Sequence, residues 1–109
     1  MAVHGEAKVV LAPLLEDDAE FLFGYRSRPE IWRYQTWVPT SVVEAFAFVR
    51  NFGGVETPRT SGWSQFAVRI SRDGRMVGDC GCHILDPETA EIGYTIAPPF
   101  RGVVWPPGL

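Results

Sequence analysis

Cys80, Cys82 and His83 crowd one short stretch of the chain, and thiolate and imidazole side chains so close together first suggest a metal centre. Side chains alternate across a strand, so Cys80 and Cys82 share one face while His83 points the other way. A closed zinc site takes four ligands, and no second cluster of ligand residues stands elsewhere in the chain. We therefore expect small residues packing within a strand, and no metal. Proton chemistry is the other possibility. Asp79 and His83 fall on the Val77 face of the same strand, and Glu91 on the next strand points opposite to Ile92 and Tyr94. Each could take a proton from a reacting group, or sit as a half-exposed polar residue with no role. Trp32, Tyr34, Trp37 and Trp63 could line a binding site or serve as core and lid packing, the commoner use of such residues.

Several elements must position these groups. Val9-Val10-Leu11 reads as a first strand ending at Pro13. Glu16-Asp17-Asp18 supplies acidic and capping residues for a helix running to about Arg26. Ala19, Leu22, Phe23 and Arg26 follow helical spacing, and Phe21 and Tyr25 widen the apolar face. Pro29 breaks that helix, and a helical turn over Glu30 to Tyr34 can follow. Ser41-Val42-Val43-Glu44 has the form of a capping box, in which hydroxyl and carboxylate each accept from a free N–H of the first turn. The helix it opens carries Val42, Ala45, Phe46, Val49 and Phe52 on one side and ends at Gly53-Gly54.

Beyond the polar loop Glu56 to Gly62 the period changes from helical to alternating. Phe66, Val68 and Ile70 alternate with Gln65, Ala67 and Arg69 as in a half-buried strand. Asp73-Gly74 signals a hairpin turn, Met76 to Leu85 forms the return strand, and Asp86-Pro87-Glu88 turns again. Ala90, Ile92, Tyr94 and Ile96 then mark another strand, which Pro98-Pro99 stops. Strand, helix, helix and a three-stranded meander make an α+β fold.

With 109 residues the chain suits one small domain, and 46% hydrophobic and 13% aromatic residues give it a core, which excludes a disordered chain. A net charge of −3 without a basic stripe argues against a nucleic-acid partner. No apolar run is long enough to span a bilayer, and Met1 to Lys8 lacks the apolar stretch of a signal peptide. Cys80 and Cys82 are too close for an ordinary disulfide within one strand and fit a reducing compartment. We expect a cytoplasmic protein with no membrane partner.

Leu11-Ala12-Pro13-Leu14 followed by Glu16-Asp17-Asp18-Ala19 resembles the opening of the RimJ/RimL-like N-acetyltransferases of the GNAT superfamily. Arg28-Pro29-Glu30-Ile31 after the first helix is similar to the same proteins. So are Met76-Val77-Gly78-Asp79-Cys80-Gly81, as their third strand, and Ala90-Glu91-Ile92-Gly93-Tyr94-Thr95-Ile96 with Phe100-Arg101-Gly102, as their fourth strand entering the cofactor loop. The order and spacing of these pieces, from Val9 to Gly102, make the resemblance specific. It implies transfer of an acetyl group from acetyl-CoA, as co-substrate, to a primary amine acceptor on a protein N-terminus or a small molecule. It implies that Ile96 and Ala97 offer backbone groups to the pantetheine arm, and that Arg101 and Gly102 begin a phosphate loop whose glycines let N–H groups approach the pyrophosphate. A carboxylate on the fourth strand is the base in several members, which makes Glu91 the candidate catalytic residue. The aromatic group would lie at the acceptor end.

The resemblance stops after Gly102, so residues 8–102 are expected to form the front part of a GNAT domain and 103–109 an aberrant tail. Val104 stands where the family's second glycine belongs. Val103-Val104-Trp105-Pro106-Pro107-Gly108 requires GTN GTN TGG CCN CCN GGN; shifted by one base, the same string reads NGT NGT NTG GCC NCC NGG. That frame can encode Arg-Gly-Leu-Ala-Thr-Arg, with the alanine forced, which is the family's loop and helix start. The expectation is a frame shift in an acetyltransferase gene. The alternative is an inactive fragment, or a small binding module derived from an acetyltransferase. For the literal chain, an uncovered fourth strand predicts a homodimer or aggregation.

Overall fold

The computed structural model describes residues 8–32 and 37–100. Strand β1 (Val9–Pro13) leads through a 3-10 turn, Glu16–Asp18, into helix α1 (Ala19–Arg26). The short α2 (Pro29–Trp32) and α3 (Val42–Phe52) follow, and then the meander β2 (Gly62–Ile70), β3 (Met76–Asp86) and β4 (Thr89–Ile96). The four strands form one antiparallel sheet in the order β1-β2-β3-β4. Arg101, Gly102, the 103–109 tail and Tyr34 lie outside the described residues.

Local chemistry explains the element ends. Asp18 accepts the Leu15 N–H at 2.8 Å and pairs with Arg69 Nη2 at 2.6 Å, which ties the start of α1 to β2. Ser41 Oγ caps α3 through the Glu44 N–H at 3.2 Å. The Glu44 carboxylate reaches one residue further back than the expected capping box, to the Thr40 N–H at 2.8 Å. Glycine is required at the end of α3, because a Cβ on Gly53 would lie 2.7 Å from the Leu14 carbonyl oxygen. Gly74 closes the β2–β3 hairpin at φ +75°, a region costly to residues with a side chain.

The helices cover one face of the sheet. Leu14, Ala19, Leu22 and Tyr25 pack with Ala45 and Val49 of α3 over Ala67 of β2. Each fully buried leucine or valine here is worth about 1.5–3 kcal/mol by transfer from water. Phe21, expected to widen this face, is instead exposed, since the buried stripe of α1 runs through Ala19, Leu22, Tyr25 and Arg26. On the opposite face Val68, Ile70, Val77, Cys80 and Ile96 form a second cluster. Residues 64–68 of β2 are therefore buried on both sides, and the expected half-buried strand is a central one.

A bulge changes one assignment. Val68 faces Gly78 but Arg69 faces Met76, so β3 carries one extra residue, Val77. Val77 packs into the second cluster with Val68 and Cys80. Asp79 and His83 still share a face, but it is the helix-covered face and not the one Val77 occupies.

Candidate functional site

Cross-strand register decides which side chains meet. Ala67, Asp79 and Thr95 are aligned across β2, β3 and β4, as are Gln65, Gly81 and Gly93, and Trp63, His83 and Glu91. Antiparallel partners share a face, so these rows stand under the helices. The rows and α3 line a cavity of about 830 Å³ that is open to solvent on one side. Trp37, Glu44, Phe48, Asn51 and Phe52 line its helix side; Trp63, Gln65, Gly81, His83, Gly93, Tyr94 and Thr95 line its sheet side, with Arg26 alongside.

Beside the cavity lies a buried polar network. The Asp79 side chain is fully buried. One carboxylate oxygen accepts from Arg26 Nη2 at 2.6 Å and Gln65 Nε2 at 2.7 Å; the other accepts from the Tyr25 hydroxyl and from Arg26 Nε at 3.3 Å. Four donors fill the acceptor sites of a carboxylate, so Asp79 has no lone pair left for a substrate proton. Its role is structural. Gln65 passes the order on: with its amide N–H committed to Asp79, its Oε1 accepts the Trp63 indole N–H at 2.7 Å. The charge on Asp79 thus fixes the indole ring that walls the cavity two links away.

Burial, followed by the neighbouring Asp79 charge, holds the Tyr25 phenol well above its ordinary value, so it remains a donor. Burial works to lower Arg26, but the Asp79 carboxylate outweighs it and the guanidinium is held more firmly charged. Glu44 is lowered by the Thr40 N–H that its carboxylate accepts.

Gly81 makes room for the wall. A Cβ there would lie 2.6 Å from Trp63 Cζ2 and 2.9 Å from Gln65 Oε1. Gly81→Ala should displace the indole, shift the tryptophan emission and lower stability by about 1–3 kcal/mol through overpacking. Unchanged emission and an unchanged urea midpoint would show that the ring is not clamped.

His83 lines the cavity and Glu91 does not. The two face each other across β3 and β4, with His83 Nδ1 3.5 Å from Glu91 Oε1. The Glu91 side chain is 68% exposed and that of His83 36%, so the imidazole stands between carboxylate and cavity. Its ring also lies 5.6 Å from that of Trp63. Trp37 and Trp63 of the aromatic group are wall residues, whereas Tyr34 and the side chain of Trp32 lie outside the described residues. Ile96 ends β4 and points into the second cluster; Ala97 donates its N–H to the Val77 carbonyl at 2.8 Å.

Cys80 and Cys82 are buried and unpaired, and no group of residues able to hold a metal occurs among the described residues. Burial first, then Asp79 and Cys82, pushes the Cys80 thiol up to about 11. Cys80 and Tyr25 are both acids whose folded values are raised. Their contribution is fully present below the unfolded values, and is lost as pH rises through the folded ones. For Cys80 that window opens near the ordinary thiol value of about 8.5. The urea midpoint should hold steady up to there and fall steadily towards about pH 11, where the folded thiol itself ionises. A midpoint unchanged across that window would contradict these assignments.

The sequence signal for the network was present but divided. Arg26 was legible only as part of the apolar stripe of α1, and Gln65 as the polar alternate of a strand. An arginine on a buried helix face and an aspartate in mid-strand can each be accommodated only with a partner. Phe48, Asn51 and Glu44 gave no such signal, because their role depends on how α3 lies over the sheet.

Comparison with known proteins fits this geometry. No curated protein matches the chain. Among solved structures it is similar to a GNAT-family acetyltransferase from Bacillus anthracis, at 21% identity and a TM-score of 0.68, covering 91% of this chain and 55% of that one. It is also similar to a putative ribosomal-protein-serine acetyltransferase from Vibrio cholerae, at 20% identity and TM-score 0.60, covering 85% and 53%. A spermidine N-acetyltransferase chimera from Vibrio cholerae and hSSAT matches at 17% identity and TM-score 0.62, covering 86% and 53%. The chain spans about half the length of these proteins. Residues 8–104 match the acetyltransferase (GNAT) domain family over most of the sequence, and the chain belongs to that family.

Proposed function

We propose that the chain transfers the acetyl group of acetyl-CoA to a primary amine held in the cavity between α3 and the β2–β4 face. The observation that carries this reading is the row Trp63–His83–Glu91: a cavity-lining imidazole backed by a carboxylate, on the strands that the family match covers. An ammonium has no lone pair for attack, so the acceptor must lose a proton. With Nδ1 turned to Glu91, His83 has Nε2 left to take that proton. The amine nitrogen then bonds to the acetyl carbon, and the carbon–sulfur bond breaks to release the thiolate. Glu91 acts through His83, holding the ring with Nδ1 towards the carboxylate so that Nε2 is left for the substrate.

Backbone groups of Ile96 and Ala97, at the end of β4 beyond the wall residue Thr95, are proposed to run beside the pantetheine arm, and Arg101 and Gly102 to begin the phosphate loop. The RimJ/RimL-like resemblance, and relatives named for a ribosomal protein and for spermidine, leave both protein and small-molecule amines as acceptor classes. Among the described residues β4 is an edge strand and Ile92 on it is 66% exposed, which supports association of two copies along that edge.

A thermal-shift titration with acetyl-CoA tests the reading. Binding to the folded state alone adds about 2.7 kcal/mol at a hundredfold excess over the dissociation constant. A melting temperature that climbs with acetyl-CoA but not with free acetate supports the proposal. A flat response favours the alternative, a fragment or binding module without the reaction.

A further inference from the structure

We propose that the acceptor is a monoamine carrying an apolar, ring-sized body, and that polycationic amines are poor occupants of the cavity. This rests on the acetyl-transfer reading and specifies its second substrate.

The walls supply the first reason. Trp37 and Phe48 stack with ring centroids 4.0 Å apart and planes at 15°, and Phe52 lies 5.2 Å from Phe48. Trp63 stands on the sheet side with its indole pinned by Gln65. Rings held on both sides favour a flat or bulky apolar group; Trp37 already carries the Arg26 guanidinium 5.6 Å from its ring centroid, which leaves the Trp63 face to hold one ammonium. A volume of about 830 Å³ suits a small molecule of that kind.

The charges supply the second. Among the described residues that line the cavity, Glu44 is the carboxylate, and its Oε1 already accepts from Thr40. Arg26 adds a guanidinium to the wall, and the acid that neutralises it, Asp79, is saturated by four hydrogen bonds and fully buried. A polyamine brings several ammonium groups, each of which loses its hydration on entering and needs a counter-charge. One carboxylate, beside an Arg26–Asp79 pair whose charges cancel, does not provide them.

Gly93 offers a test that spares the fold. It faces Gly81 across β3 and β4 and lines the cavity. A Cβ built on it meets nothing within 4 Å, and its φ lies outside the left-handed region. A larger side chain there should occupy the space the ligand body needs without straining the strand. The experiment titrates the protein, without acetyl-CoA, with phenylethylamine and separately with spermidine, following the tryptophan emission to which wall residues Trp37 and Trp63 contribute. Phenylethylamine should bind at least about tenfold more tightly than spermidine. Gly93→Leu should weaken phenylethylamine by about tenfold or more while the melting temperature stays within a few degrees. Spermidine binding as well as phenylethylamine, no binding of either, or Gly93→Leu binding as wild type would each overturn the proposal. The preference without any acetyl transfer would remove the reaction and leave the ligand class. Transfer that favours spermidine would do the reverse.

Discussion

Asp79→Ala should cost the fold about 3–5 kcal/mol, the range for breaking a buried ion pair from one side. The substitution takes the carboxylate from Arg26, whose side chain is 9% exposed, and the acceptor from the Tyr25 hydroxyl and the Gln65 amide. A small domain has about 5–15 kcal/mol in total, so the variant should be marginally folded, with a urea midpoint near the onset of unfolding. Asp79→Asn should be nearly as damaging, since its amide nitrogen must face a donor. The damage should also reach the cavity, because Gln65 would lose the bond that turns its Oε1 to Trp63. A loss under about 1 kcal/mol, the level of an exposed pair, would show that the network does not hold the sheet to α1.

The second large effect concerns the proton path. His83→Gln should lower kcat/KM for acetyl transfer by about 10²–10⁴-fold, the usual contribution of a positioned base. Stability should change little, since the imidazole is half-exposed and faces an exposed carboxylate. Glu91→Gln should act differently. Its carboxylate touches the imidazole and does not line the cavity, so kcat should fall while KM for the amine stays constant, and Glu91→Asp should recover part of the loss. If Glu91→Gln lost as much as His83→Gln and raised KM as well, Glu91 would be contacting the substrate directly.

The strands and helices were legible because local signals agreed with the fold. Alternation over Ala90 to Ile96, the Ser41 cap, the Gly53-Gly54 stop and the Asp73-Gly74 turn each act within a few residues, and each element formed where those signals stand. What local pattern could not show was depth. β2 reads as half-buried because Gln65 and Arg69 are polar, yet Gln65 is buried within a network that no alternation rule describes. The Val77 bulge was equally hidden, since one extra residue leaves the apolar pattern of β3 intact while changing which face Val77 joins.

The site was partly legible. Glu91 and His83 could be named as proton acceptors, but their pairing depends on a register fixed by the β3–β4 hairpin. Asp79 looked like a third candidate until its four donors came together from α1 and β2. The glycines of the Gly78-Asp79-Cys80-Gly81 stretch carry meaning that only packing reveals. A Cβ on Gly78 would collide with the Thr95 carbonyl oxygen, and one on Gly81 with Trp63. The stretch thus keeps β4 close, buries one carboxylate and seats one indole.

Thiol release from acetyl-CoA, followed with the 109-residue chain and phenylethylamine, tests most directly whether the cavity between α3 and the sheet is where transfer occurs. Release should depend on the amine, saturate with it, and fall by about 10²-fold or more in His83→Gln. No release, release independent of the amine, or release that His83→Gln leaves untouched would contradict it.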